Sequence, residues 1–226
     1  MKISAPRGTK DITSKESFKW NYLETKFRQI CSMYGYEEIR TPIFENTELF
    51  QRGVGDTTDI VQKEMYSFKD RGDRDLTLKP EGTAGVIRAF IENKMFADAQ
   101  PTKLFYITPC FRYERPQSGR QRQFHQFGVE AVGSDTPSLD AEAISLAMQF
   151  LGELGLKDLS VSVNSVGCPV CRESYNKLLK EYLEKKSDVL CDLCNERREK
   201  NPMRVIDCKV QTCQDNIKDI PLMADH

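Results

Sequence analysis

The chain has 226 residues, with 33 Lys and Arg against 34 Asp and Glu, and so a net charge of −1. Near-neutrality excludes bulk basic charge as the means of holding nucleic acid, so any such contact needs a local basic patch. A hydrophobic fraction of 39%, with 12 Phe and 8 Tyr, is too high for a disordered chain.

No apolar run reaches the ~18 residues that cross a bilayer, which predicts no membrane partner. The stretch Met1–Pro6 lacks the apolar segment of a secretory signal, so the expected compartment is cytoplasmic. There the 8 cysteines read as thiols or metal ligands before disulfides. The 2 histidines, His125 and His226, exclude a multi-histidine metal site.

In chain order, Thr13 and Glu16 read as a capping box opening a helix. Trp20, Leu23, Phe27, Ile30 and Tyr34 recur at helical spacing, and Gly35 is the stop. Tyr36–Thr41 reads as a strand ended by Pro42. Met65–Phe68 and Leu76–Leu78 read as strands joined by the turn Asp70–Asp73. Thr83–Asn93 carries Val86, Ile87, Phe90 and Ile91 on one helical face. Lys103–Thr108, Phe111–Glu114 and Phe124–Val132 read as strands, with a polar loop over Arg115–Gln123. A long helix follows over Ser138–Leu154, with Leu139, Ala143, Ile144, Ala147 and Leu151 inward and Gly155 as its stop. Leu159–Asn164 alternates as a further strand. Strands cluster in the middle without a βαβ rhythm, which predicts an α+β fold, an antiparallel sheet flanked by helices. Six cysteines fall between Cys168 and Cys213, which sets an expected division into a core over 1–166 and a Cys-rich, mainly helical segment over 167–226.

Three constellations carry chemistry. Period-two alternation would place Arg112, Glu114, Gln126 and Glu130 on one sheet face. A guanidinium forks onto phosphate or carboxylate while acids take an amine, so this face suits a zwitterionic or phosphate-bearing ligand; the bland reading is a solvated face of paired charges. The loop between these strands holds Arg115, Arg120 and Arg122 with Gln117, Gln121 and Gln123 and no acid, a mix that grips a phosphate backbone. In Leu76–Gly85, Pro80 and Gly82 force a sharp exit from strand to helix and set Glu81 and Thr83 near a helix N-terminus. There they read as ligand contacts, or as Thr83 capping the helix with Glu81 at its positive end.

The third is Cys168-Pro-Val-Cys171 and Cys191-Asp-Leu-Cys194, two CxxC pairs separated by 19 residues. That spacing fits a structural zinc ribbon, with Cys208 and Cys213 as further donors. The competing reading is reduced thiols around an amphipathic helix carrying Tyr175, Leu178, Leu179, Tyr182 and Leu183. Cys31 and Cys110 sit in apolar contexts and read as core residues.

Taken together, these segments resemble the catalytic domain of the histidyl-tRNA synthetase family, class II aminoacyl-tRNA synthetases. Pro6-Arg7-Gly8-Thr9-Lys10-Asp11 resembles the family's N-terminal signature. Tyr34–Pro42 resembles motif 1, and Phe111-Arg112-Tyr113-Glu114 with the strand to Glu130 resembles motif 2. Arg115-Pro116-Gln117-Ser118-Gly119-Arg120 followed by Phe124-His125-Gln126 is specific to the histidine enzymes.

The resemblance implies a class II antiparallel sheet, a homodimer through motif 1, and use of ATP, Mg²⁺, L-histidine and tRNA(His). It implies Arg112 as the catalytic residue, at the ATP α-phosphate and the amino-acid carboxylate, and Glu114 near the adenine. It implies Glu81, Thr83, Gln126 and Glu130 around histidine, and the Arg115, Gln117, Arg120 and Arg122 loop at the tRNA acceptor end. Lys79 stands where an arginine is common. The implied reaction is histidine activation to histidyl-adenylate and transfer to tRNA, with no protein nucleophile. Motif 3, with the family's second ATP-binding arginine, and an anticodon-binding domain do not occur before His226, so the chain reads as a fragment that alone lacks part of the ATP site. Zinc is not a general feature of this family. Two other readings stand: a non-catalytic regulatory subunit of ATP phosphoribosyltransferase, which shares the fold, and a zinc-dependent nucleic-acid module at the C-terminal end.

Overall fold

The structure, a computed structural model, describes residues 3–54, 58, 60–163 and 167–223. The chain divides into two compact units, Met1–Leu159 and Ser160–His226.

In the first unit, helix α1 (Ser17–Met33) leads to the short strand β1 (Glu37–Glu38). The helix stops at Tyr34–Gly35, where Gly35 takes a φ of +77°. The expected capping box does not form. Glu16 is the N-cap without a side-chain cap bond, and its carboxylate instead receives Lys10 Nζ at 2.8 Å. A free lysine within reach competes with a backbone N–H for the same oxygen.

Strands β2 (Phe44–Asn46), β3 (Tyr66–Lys69) and β4 (Asp75–Leu78) form one antiparallel sheet in the order β2-β4-β3. Asp70 closes the β3–β4 turn by accepting the N–H groups of Gly72 at 2.8 Å and Arg74 at 3.0 Å. Helices α2 (Thr47–Val54) and α3 (Thr83–Glu92) flank this sheet in sequence.

The second sheet has the order β1-β5-β6. Strand β5 (Thr102–Phe111) pairs antiparallel with β6 (Gln123–Val132) over ten residue pairs, and β1 runs parallel to β5 at Leu104 and Phe105. The two strands expected over Lys103–Thr108 and Phe111–Glu114 are thus one strand that ends at Phe111, and Arg112 and Glu114 lie beyond its ladder. Pro109 does not break β5. Phe111, of the same parity, sends its N–H away from β6 to Lys79 O at 2.9 Å, so the nitrogen of Pro109 also points away from the ladder.

Period-two alternation separates the faces of this hairpin. Phe105, Ile107, Phe127, Val129 and Ala131 pack with Phe27 and Ile30 of α1 and with Leu146 and Phe150 of helix α4 (Pro137–Glu153). Phe27 meets the rings of Phe105, Phe127 and Phe150 edge-on at 5.1–5.8 Å between centroids. Leu104 and Tyr106 turn to the other face, against Val86 of α3. In α4 the inward stripe runs through Leu146 and Phe150, while Ile144 and Ala147, expected inside, are exposed. That helix is apolar on more than one side, and α1 selects which stripe is buried.

The strand expected over Leu159–Asn164 is not seen. Residues 159–163 are irregular, and Leu159, Val161 and Val163 are exposed. Alternation makes a strand only where a neighbour supplies the ladder. Asn164 and His226 lie outside the described residues.

The second unit contains helices α5 (Pro169–Glu184), α6 (Asp192–Lys200) and α7 (Gln211–Asn216), with short 3₁₀ turns at Ser187–Val189 and Pro202–Val205. Tyr175, Leu179 and Leu183 form the buried stripe of α5, as their spacing predicts. No described helix is long and apolar enough to cross a membrane.

Candidate active site and a thiol cluster

The site forms on the α3 side of the β5–β6 hairpin, where Gln126, Gly128 and Glu130 share one face of β6. Opposite them β5 offers Thr108, Tyr106 and Leu104 in register. The turn from β4 into α3, Lys79–Thr83, comes down on this face and is gripped by four contacts. Arg112 Nε donates to Pro80 O at 2.9 Å, and Gly82 N–H donates to Gln126 Oε1 at 2.8 Å. Thr83 Oγ1 donates to Glu130 Oε1 at 2.7 Å, and Lys79 O receives Phe111 N–H. The carboxylate of Glu81 accepts the N–H groups of Thr83 and Ala84 at 2.7 and 2.8 Å, so Glu81 rather than Thr83 caps α3. Arg112, Glu81, Thr83, Gln126 and Glu130 therefore converge on a single turn.

Two further residues shape the site: Tyr106, which the sequence pattern did not single out, and Lys79, noted there only as standing where an arginine is common. The ring of Tyr106 lies between Gly82 and Gly128, where a Cβ would stand 2.2 Å and 2.3 Å from ring atoms. Only residues without a side chain admit the ring at both places. The signal was an isolated glycine inside a strand pattern, which marks close approach. The Tyr106 hydroxyl lies 3.4 Å from Glu130 Oε1. Lys79 is only 2% exposed, with Nζ 3.3 Å from both Thr41 O and Thr41 Oγ1.

The electrostatics follow from burial. Burial raises the pKa of Glu130, helped by nearby Glu81 and opposed by the Thr83 hydrogen bond. Burial lowers Lys79, opposed by Cys110 and Glu45. Burial pushes the thiols of Cys31 and Cys110 up to about 12 and about 11, so both are inert core thiols. His125, tilted against Trp20 with ring centroids 4.5 Å apart, is held below its ordinary value by burial. The arrangement offers carboxylates for an ammonium and a guanidinium for phosphate or carboxylate, with no activated nucleophile among the described residues.

Arg112 also stacks its guanidinium on Phe124, 5.1 Å from the ring centroid, and its N–H donates to Arg122 O at 2.9 Å. On the 115–123 loop, Arg115, Gln117 and Arg120 are exposed, with Arg120 bonded to Glu114 Oε2 at 3.3 Å. Arg122 differs from the other two arginines of the loop. It donates to Glu114 O at 3.1 Å, covers the Tyr113 ring at 3.9 Å, and sends its N–H to Gly8 O at 2.7 Å. Glu114 is thus tied to two of the three loop arginines, Arg120 and Arg122. A groove of about 890 Å³ lined by Leu49, Ile87 and Ile91 opens beside Glu81 and Thr83 and does not include Arg112.

In the second unit the cysteines do not group as the two CxxC motifs predict. Cys168 and Cys171 pair with each other at the start of α5, with sulfurs 3.3 Å apart. Among the described residues, the sulfurs of Cys191, Cys194, Cys208 and Cys213 lie within 4.8 Å of one another, close enough to share one metal ion. The set Cys168, Cys171, Cys191 and Cys194 is therefore replaced by one in which the second CxxC joins Cys208 and Cys213. The 3₁₀ turn at Pro202–Val205 and helix α7 carry these two back to the N-terminus of α6.

Comparison with known proteins identifies the family of the chain. A family model described as Histidyl-tRNA synthetase matches residues 8–198. A histidine–tRNA ligase of Clostridioides difficile (strain 630) is 77% identical over 226 residues, covering 100% of this chain and 54% of that protein. One from Thermoanaerobacter pseudethanolicus is 60% identical over 225 residues, again 54% of its length. The chain thus spans about half the length of the curated relatives it matches. The crystal structure of apo Staphylococcus aureus histidyl-tRNA synthetase superposes with a TM-score of 0.75 at 40% identity, over 98% of this chain and 56% of that one. A Bacillus halodurans structure titled as an ATP phosphoribosyltransferase regulatory subunit/histidyl-tRNA synthetase shares the fold, with a TM-score of 0.69 at 22% identity, over 97% of this chain and 52% of that one. With a class II α+β fold and matching residues along most of its length, this chain belongs to the histidyl-tRNA synthetase family.

Proposed function

We propose that this chain carries the part of a histidine–tRNA ligase that binds histidine and the α-phosphate of ATP. One observation carries the reading: Arg112, Gln126 and Glu130 all bond to the Pro80–Thr83 turn, whose Glu81 carboxylate faces the same cluster. Glu130 and Glu81 supply negative charge for the substrate ammonium, and Gln126 and Thr83 supply neutral hydrogen bonds. Arg112 is the cation for the carboxylate and the α-phosphate, where charge grows as the adenylate forms. Carboxylate attack on phosphorus needs alignment and charge neutralisation more than a protein nucleophile, and the site is built for the former. Mg²⁺ would travel with the nucleotide and supply further charge neutralisation. Among the described residues no three carboxylates gather to hold it.

The same reading takes the exposed Arg115, Gln117 and Arg120 as contacts for the acceptor end of tRNA(His), with Arg122 bracing their loop from below. It takes Tyr34–Pro42 as a dimer-forming segment, which fits the exposure of Ile43 and Phe44 just beyond it. A soluble cytoplasmic enzyme is the matching setting. The regulatory alternative has less support, because the ligases resemble this chain at far higher identity than the regulatory-subunit structure does.

Calorimetric binding of a non-hydrolysable histidyl-adenylate analogue tests the proposal. Arg112→Ala should weaken binding by about 10- to 150-fold, the worth of a charged hydrogen bond. Equal binding by wild type and variant would remove Arg112 from the site and sink the reading.

A further inference from the structure

We propose that Cys191, Cys194, Cys208 and Cys213 bind one zinc ion as a tetrathiolate that holds the second compact unit together. A tetrahedral ion with Zn–S bonds of about 2.3 Å sets its sulfurs about 3.8 Å apart. The Cys191 and Cys208 sulfurs stand 3.9 Å apart, and all four lie within 4.8 Å of one another. That separation is too long for disulfide bonds at about 2.05 Å. It is too short for a multi-iron cluster, whose inorganic core stands between the cysteine sulfurs. A mononuclear ion fits the space between them.

The surroundings point the same way. Cys194 and Cys213 are fully buried, and Cys208 nearly so, among Leu179, Leu183, Leu190, Val205 and Ile217. Two backbone N–H groups are aimed at sulfur: Cys191 N–H lies 3.2 Å from Cys213 Sγ, and Val210 N–H lies 3.4 Å from Cys208 Sγ. Such donors suit thiolates, and a buried thiolate needs a cation. Cys191 and Cys194 sit at the N-cap and third residue of α6, the place where a CxxC turns both sulfurs to one point. Soft sulfur in a four-coordinate, closed, apolar site selects zinc among common divalent ions, and such closed sites are structural. Helices α6 and α7 are short and the unit's core is small, the situation in which a metal staple stabilises most. Cys168 and Cys171 take no part and remain a separate, more exposed pair.

The test uses the untagged 226-residue chain. Elemental analysis should find one zinc per chain. Alkylation with mass mapping should show Cys191, Cys194, Cys208 and Cys213 protected until a chelator is added, and Cys168 and Cys171 modified in both states. Replacing zinc with Co²⁺ should give the sulfur-to-metal charge-transfer bands of a tetrahedral tetrathiolate. Cys194→Ser should lose the metal, and the double variant Cys168→Ser, Cys171→Ser should keep it. Substoichiometric zinc with all four cluster thiols reactive would overturn the proposal. So would zinc that leaves with Cys168 and Cys171. The alkylation and Co²⁺ readouts need only wild-type protein, so they decide the matter even if Cys194→Ser fails to fold.

Discussion

Tyr106 shows how much one residue can depend on what its neighbours lack. Its ring occupies the space that side chains at Gly82 and Gly128 would fill. Gly128→Ala should therefore destabilise the chain by about 1–3 kcal/mol, the usual cost of overpacking, as read from urea unfolding. An unchanged midpoint would mean that the ring has room to move. Glu130 beside it gives a pH signature. Its carboxyl is raised above its ordinary value of 4.5 by burial, so the folded chain holds that proton more tightly than the unfolded chain does. It therefore contributes stability at low pH that is lost as pH rises from 4.5 through the raised value. Glu130→Gln keeps an acceptor for Thr83 and has no proton to lose. Its stability should gain on wild type as pH climbs from about 4 to about 7, and a pH-independent gap would contradict the assignment.

At the scale of elements, helix α3 links fold and site. Its N-cap, Gly82, has no side chain to offer, so the preceding Glu81 satisfies the N–H groups of Thr83 and Ala84. Glu81→Ala should cost about 1 kcal/mol in urea unfolding, even without ligand, because two helix N–H groups lose their acceptor. A cost near zero would mean that the carboxylate is held there for ligand alone. The helix itself was legible from the spacing of Val86 and Phe90 and from the Pro80–Gly82 breaker. Its cap was not, because the sequence offered Thr83 as the conventional capping residue and did not show that Glu130 would claim the Thr83 hydroxyl. Strands β3 and β4 were likewise legible, through alternation and a polar turn. The segment from Leu159 to Val163 alternates equally well and forms no strand, because a strand depends on a partner that its own residues do not encode.

At the scale of the whole molecule, the first unit is a hairpin with one face given to a core and the other to chemistry. Helices α1 and α4 cover the side of Phe105 and Phe127, which leaves Gln126 and Glu130 to the β4–α3 turn. The second unit has its own core, centred on Leu179, Leu183 and the cysteine cluster. Loss of a metal from that cluster would act on this unit's packing rather than on the hairpin, whose core contains none of the four cysteines.

The sequence by itself determined what depends on near neighbours and on residue type. It carried the helical and strand periodicities, the arginine-rich loop, the concentration of cysteine after residue 167 and the residues shared with a synthetase family. Tertiary structure alone decided which distant residues meet. Gln126 reaches Gly82 across 44 positions and Glu130 reaches Thr83 across 47, distances over which periodicity carries no information. The cysteines make the same point: spacing grouped the two CxxC motifs, and the path of the chain through α6 and α7 brought Cys208 and Cys213 to the second motif instead. Local order follows from backbone sterics and the alternation of apolar side chains, whereas a site forms where separately ordered segments are packed together by a shared core.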